Sequence, residues 1–375
     1  MDAVRVLELL SSPAWTGPAE PMASVARELS RRGHDVEIAV DTRREGDVRA
    51  RLEGLGFRVR TDLALSTKGG PGAFLGDLLA LRRASAAFDV LHANFSNDHA
   101  LALLAAAGRR ECRVVRTVHS SRSLRRRGLQ GWIHRASDGL VAVCEAHARV
   151  LRDDFRVPAE RVCAVRGAVD ADVFRPDGPD LRAELGIAPD APVVGIVSRV
   201  KPDRRHVELL EAFRAVRARL PAARLVVVGR GEGLEDVQER ALTLGLASSV
   251  VFAGYRRGEA LAAAYRTLDA KVLLAEGNDG TCRALLEAMA SGRPGIAYRF
   301  GAPAESIVDG ATGRLVEEGD VEALGTVIAE ILGEPERARA MGRVARERMV
   351  ALYTEEARGA AVEEFLVRVR RMPRP

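Results

Sequence analysis

Lysine is nearly missing from this chain. Only Lys68, Lys201 and Lys271 occur among 57 basic residues, and those basic residues exceed the 52 acidic ones by a net charge of +5. So lopsided a use of arginine, with so small a net charge, reflects composition rather than a nucleic-acid surface; it supports a weak preference for anions, and no nucleic-acid partner is expected. Cysteine is scarce too. Cys112, Cys144, Cys163 and Cys282 are widely spaced, with no C-x-x-C pair and no histidine at ligand spacing. That argues against both a zinc site and a disulfide framework, so no metal is expected and most of the cysteines read as small core residues. No apolar run approaches the roughly 18–20 residues that cross a bilayer, so an integral membrane protein is excluded. The opening "MDAVRVLELLSSPAW" lacks a basic leader ahead of a long apolar segment, and a cytoplasmic setting is expected.

What is present is rhythm. Short β-rich runs ("VRVLELL", "HDVEIAV", "FDVLHA", "VVRTVH", "GLVAV") alternate with amphipathic stretches such as "PMASVARELSRRG". This is the signature of βαβ units on a parallel sheet. The rhythm relaxes over Phe174–Pro192, rich in proline and aspartate, and resumes with "VVGIVSRV", "ARLVVVGRGEG", "SVVFAGY", "DAKVLLAEG" and "PGIAYRF". The expectation is an α/β protein of two Rossmann-like domains, residues 1–176 and 177–375, with parallel sheets facing a central cleft; the basic helical tail beyond Glu336 is a candidate to pack back on the first domain.

The chemistry-bearing residues lie where strands end. After "VRVLELL" comes "SSPAWTGPAE", in which Gly17 precedes a helix opening near Pro21, either a site of close backbone approach or an ordinary turn. "VVVGRGEG" fails as a dinucleotide fingerprint because its third glycine would fall on Leu234, leaving a loop beside a nucleotide or a plain turn. In "SRVKPDRRH", Arg199 and Arg204 follow a strand, where forked guanidiniums suit a diphosphate, against a reading as solvated surface charge. His119 ends "VVRTVH"; a lone histidine is as readily structural as catalytic. In "EGNDGTCRALLEAMASGRPG", Asp279 opens a helix whose amides at Gly280, Thr281, Cys282 and Arg283 suit a phosphate, and Glu287 sits among leucines and Met289, where an unmet carboxylate is costly.

Together these pieces resemble the family-four retaining glycosyltransferases of the GT-B fold. The likeness is carried by "RRGHDV", "TVHSS", "VAVCEAH", "RGAVDADVF", the Arg199 and Arg204 pair, and "DGTCRALLEAMASGRP", which sets two acids at the family's spacing. The resemblance implies that Glu287 receives the ribose hydroxyls of a sugar nucleotide, the ribose satisfying its buried charge. It implies also that Asp279 contacts the transferred sugar, that the amides near Thr281–Arg283 with Arg199 and Arg204 hold the diphosphate, that His119 lies close to the reacting sugar, and that Gly17 marks the acceptor-side loop. The sequence departs from the family in four places. Asp279 replaces a glutamate, Arg204 replaces a lysine, Arg166 stands where asparagine is common, and Gly17-Pro18 replaces a double glycine.

The expected activity is metal- and cofactor-free transfer of a sugar, with retention, from a nucleoside diphosphate donor to a hydroxyl acceptor. By analogy the acceptor belongs to bacterial envelope glycan or polysaccharide synthesis. Two rivals stay open: a GT-B sugar-nucleotide epimerase and a non-catalytic sugar-nucleotide-binding protein. In residues 121–138, Arg122, Arg125, Arg126, Arg127 and Arg135 surround Leu124, Leu129, Trp132 and Ile133. Either those apolar residues pack in a core or the segment lies on an anionic membrane and meets a lipid-linked acceptor at the inner face of the cell membrane.

Overall fold

The computed structural model describes residues 3–65, 70–125, 128–277 and 279–375, with the backbone alone over 279–281. Arg126 and Arg127, Gly280, and the side chains of Asp279 and Thr281 therefore lie outside what is described below. The chain forms two compact units, Met1–Gly167 with Glu355–Pro375, and Ala168–Thr354.

The first unit is built on strands β1 (Arg5–Leu10), β2 (Asp35–Val40), β3 (Arg58–Arg60), β4 (Val90–Ala93), β5 (Arg113–Val118), β6 (Gly139–Ala142) and β7 (Val162–Ala164), in the order β3-β2-β1-β4-β5-β6-β7. All neighbours pair in parallel. Strands covered on both faces are buried along their whole length, as β4 and β6 are. On one face Val6, Ile38, Val115 and Val141 pack with Met22 and Leu29 of the helix Ala19–Arg31, and with Phe365 and Val369 of the helix Glu355–Arg371. The last helix sits close because residue 139 is glycine: a Cβ there would come within 2.8 Å of Val369 and 2.9 Å of Phe365. Leu7, Leu9, Leu91 and Val114 fill the other face with Leu81 and Leu101.

The second unit repeats the plan with β8 (Val193–Val197), β9 (Arg224–Val228), β10 (Val250–Gly254), β11 (Ala270–Leu273), β12 (Gly295–Tyr298) and β13 (Gly313–Val316), in the order β10-β9-β8-β11-β12-β13 and again parallel. Alternate residues of β8 and β9 serve opposite faces. Val194, Ile196, Leu225 and Val227 meet Phe213, Val216 and Ile328, while Val193, Val197, Val226 and Val228 meet Tyr265 and Leu268. Each such fully buried side chain contributes about 1.5–3 kcal/mol. The stretch 174–192, whose composition suggests a linker, belongs to this unit's core, since Leu181, Ile187 and Ala191 are buried with β8. No helix among the described residues is long and apolar enough to cross a membrane.

Candidate active site

In an open parallel sheet, ligands collect beyond the carboxyl ends of the strands where the strand order reverses. In the second unit that point lies between β8 and β11, paired through Ala270 with Val194 and Lys271 with Gly195. The loop leaving β8 carries Arg199 and Arg204, and the loop leaving β11 leads into the helix Asp279–Ala290. The sheet thus assigns both sequence motifs to one switch point.

Arg199 is exposed, and its side chain forms no hydrogen bond or ion pair among the described residues, whereas Arg204 lies 3.3 Å from Asp203. Arg205, adjacent, is structural. It adopts a left-handed backbone (φ 58°), pairs with Glu208 and Glu318, and lies over the Tyr298 and Phe300 rings. The glycines of "VVVGRGEG" press against this loop: a Cβ on Gly229 would fall 1.9 Å from the Ser198 carbonyl oxygen, and one on Gly231 2.1 Å from that of Val200. They are a packing device that lets the backbones following β8 and β9 run side by side, with the Val200 amide donating to Arg230 O at 3.1 Å.

Glu287 is 9% exposed on the helix Asp279–Ala290 and accepts a hydrogen bond from the Tyr265 hydroxyl at 2.7 Å. Its charge is therefore met by protein before any ribose arrives, which amends the expectation that a bound sugar nucleotide alone makes it bearable. Burial, then the neighbouring carboxylate, pushes the Tyr265 phenol well above its ordinary range, so it stays a donor. Lys271 shares this buried region. It is fully buried on β11, its Nζ donates to Val272 O at 2.7 Å, and burial lowers its ammonium to about 7 against an opposing pull from Glu287. The Cys282 side chain is buried and packs on the Gly277 turn, where a Cβ would lie 2.3 Å from its sulfur; what it offers a ligand is its backbone. Arg283 is half-buried in the same first turn.

In the first unit the order reverses between β1 and β4. Gly17 lies in the loop after β1, just ahead of the helix Ala19–Arg31, and a Cβ there would meet nothing within 4 Å. Neither backbone strain nor packing demands glycine at that position; it leaves open space. His119 follows β5, is 8% exposed, and its Nε2 lies 3.0 Å from Asn94 Oδ1. Behind it runs a buried chain absent from the sequence reading: Asn94 Nδ2 donates to Glu8 Oε2 at 2.9 Å, His92 Nδ1 lies 2.8 Å from Glu8 Oε1, and His92 Nε2 lies 2.8 Å from Thr117 Oγ1. A signal for these residues existed, since Glu8 interrupts the apolar run Val6–Leu10 and His92 the otherwise apolar β4, as Lys271 interrupts β11.

Two more histidines shape the response to acid. Burial holds His134 and His206 at about 4, below the ordinary 6.5. Each stays neutral in the fold where the unfolded chain takes a proton, so its stabilising contribution is complete above about pH 6.5 and is lost as pH falls toward 4. The slope is about 1.4 kcal/mol per pH unit for each. Asp98, raised by burial from 3.8 to about 6, works in the opposite sense between those values and offsets one of the two. Urea denaturation should therefore show lower stability near pH 5 than near pH 7.5; equal or greater stability at the lower pH would contradict this.

Residues 17–173 match the model of Glycosyltransferase Family 4, and residues 177–348 match that of the Glycosyl transferases group 1. The chain belongs to glycosyltransferase family four. It is 36% identical over 208 residues to the GDP-mannose-dependent alpha-(1-6)-phosphatidylinositol monomannoside mannosyltransferase of Mycolicibacterium smegmatis, covering 53% of this chain and 54% of that one. It is 33% identical to the D-inositol 3-phosphate glycosyltransferase of Segniliparus rotundus, covering 57% and 49%. The chain thus spans about half the length of these two relatives. Among solved structures, the glycosyltransferase from Rickettsia africae superposes with a TM-score of 0.85 at 16% identity over the whole of both chains. Anabaena HepE in complex with UDP-glucose superposes with a TM-score of 0.80 at 19% identity, over 97% of this chain and 99% of that one. The architecture of this family-four member is GT-B, two Rossmann-like units with parallel sheets.

Proposed function

We propose that this family-four protein transfers a hexosyl group from a nucleoside diphosphate sugar to a hydroxyl acceptor, with retention at the anomeric carbon. The observation that carries the reading is Glu287, a carboxylate held by Tyr265 at the switch point of the second unit, beside a strand loop bearing Arg199 and Arg204. The second unit binds the donor: Glu287 takes the ribose, the amides of Gly280, Thr281, Cys282 and Arg283 with the two arginines take the diphosphate, and Asp279 takes the sugar. The first unit serves the acceptor through the Gly17 loop, and His119 touches the transferred sugar. The arginines supply the positive charge that a metal ion supplies elsewhere. Incubation with donor alone separates the rivals. A transferase consumes donor at a useful rate only with an acceptor, an epimerase converts it without one, and a binding protein leaves it intact throughout.

The acceptor we propose is lipid-linked and met at the inner face of the membrane, within bacterial envelope glycan synthesis. Leu124 packs in the core with Val118, Leu140 and Phe155, but Leu129 and Trp132 are 73% and 58% exposed, and exposed Arg122, Arg125 and Arg135 flank them. An apolar pair among cations suits an anionic bilayer, each arginine adding on the order of 1 kcal/mol near the surface. The phosphatidylinositol monomannoside mannosyltransferase above acts, by its name, on a lipid. The protein should pellet with anionic vesicles at low salt, should pellet far less with zwitterionic ones, and should lose this binding when Arg122, Arg125 and Trp132 are all changed to Ser. Equal, negligible pelleting of both proteins would leave a soluble acceptor as the reading.

A further inference from the structure

The helix Gln130–Arg135, which carries exposed Trp132 and follows exposed Leu129, buries only one of its own side chains, and that one is His134. So short a helix with no apolar side chain buried depends on polar ties to hold its place. Arg135 supplies one, donating to Phe155 O at 3.1 Å, and the others converge on Arg116. Arg116 is buried on β5, and among the described residues no carboxylate pairs with it; Asp98, at the start of the helix Ser96–Ala106, attracts it from beyond ion-pair distance. Its Nη2 donates to Ser96 Oγ at 3.0 Å and to Ser123 Oγ at 2.9 Å, so one guanidinium ties together the segments that leave β4 and β5. Its Nη1 lies 3.3 Å from His99 Nδ1.

Burial first, then the charge of Arg116, holds His99 and His134 below their ordinary range, so both rings are neutral, while Arg116, lowered by burial to about 10, keeps its charge. A guanidinium only donates, so His99 Nδ1 accepts and the ring proton sits on Nε2. That nitrogen donates to Ser137 Oγ at 2.6 Å, and the Ser137 hydroxyl donates in turn to Ile133 O at 2.9 Å, within the helix. The second branch runs through Ser123, whose carbonyl accepts from Gln130 Nε2 and, at 3.3 Å, from His134 Nε2. Both branches lead from Arg116 to the helix that carries Trp132. We propose that Arg116 is a positioning residue, with His99 as its relay, that fixes the turn Ser121–Leu124 and the helix Gln130–Arg135 so that Leu129 and Trp132 form a preordered surface for an anionic bilayer. A surface ordered in advance loses less entropy on contact. The bilayer rests on the lipid-surface reading above, whereas the ordering of the two elements does not.

The test is hydrogen exchange of the full chain, followed by mass spectrometry on peptides from residues 121–138 and from β1, with vesicle binding measured on the same variants. In Arg116→Met, exchange over 121–138 should rise on the order of tenfold while β1 keeps its wild-type rate. Arg116→Lys should resemble Arg116→Met more than wild type, because a single ammonium cannot reproduce the fork that reaches three acceptors. His99→Leu should also loosen the helix. His99→Gln should restore its protection, since Oε1 can accept from Arg116 and Nε2 can donate to Ser137. The loosened variants should bind vesicles rich in phosphatidylglycerol on the order of tenfold more weakly than wild type does. Unchanged exchange in folded Arg116→Met, or a rise shared equally by β1, overturns the proposal, as does wild-type protection in folded His99→Leu; the His99 pair decides the matter where Arg116→Met does not fold. A loosened segment that still binds these vesicles with wild-type affinity overturns the surface role. The expected exchange pattern in a chain whose wild type ignores both phosphatidylglycerol and phosphatidylcholine vesicles supports the positioning and removes the membrane reading.

Discussion

Replacing Glu287 with alanine should weaken donor binding by at least tenfold. A hydrogen bond to a charged acceptor is worth about 1.5–3 kcal/mol, and the ribose offers two hydroxyls to the carboxylate. The substitution also strips the Tyr265 hydroxyl of its partner and Lys271 of the nearby opposing charge, so alanine should cost stability as well, about 1–3 kcal/mol for the orphaned donor. Glu287→Gln separates the two effects. It keeps an oxygen for Tyr265 while discarding the charge, so the fold should hold while donor affinity drops. Calorimetry that finds wild-type donor affinity in folded Glu287→Gln and Glu287→Ala would remove the ribose assignment.

Changing Arg199 or Arg204 to alanine should lower kcat/KM by about 10²–10³, the effect of deleting one preorganised donor to a developing negative charge. If both groups serve the same departing diphosphate, as proposed, the double variant should lose less than the product of the two single losses. Arg204→Lys should retain much of the activity, since it restores charge at the position where the family has lysine but not the planar fork. Chelators should have no effect on the wild-type enzyme. Inhibition by EDTA that Mg²⁺ or Mn²⁺ restores, or alanine variants with unchanged kcat/KM, would refute the assignment.

How far the sequence reached is clearest in particular residues. The βαβ rhythm, the helix beginning at Asp279 and the placement of Arg199 and Arg204 beyond a strand are local matters, set by hydrophobic period and turn chemistry within about ten residues, and all are visible in the chain itself. Partners distant in sequence are not. Tyr265 stands 22 residues from Glu287, and Asn94 stands 86 from Glu8. Only the sheet order, which sets β1 beside β4 and β8 beside β11, brings such residues together. The glycines at 229 and 231 invited a ligand-binding reading because a turn that approaches a ligand and one that approaches a neighbouring backbone need the same small residue. Trp132 shows the converse: its exposure depends on whether a neighbouring element covers it, which the sequence leaves open.

The central claim is that this protein moves a sugar with its configuration kept. Proton NMR of an α-configured nucleoside diphosphate sugar, followed in time with enzyme and a panel of lipid-linked and soluble hydroxyl acceptors, tests it most directly. The account predicts release of nucleoside diphosphate that depends on acceptor, with the new glycoside's anomeric proton carrying the α coupling. Intact donor with every acceptor, a β-configured product, or conversion to an epimeric sugar nucleotide without acceptor would contradict it.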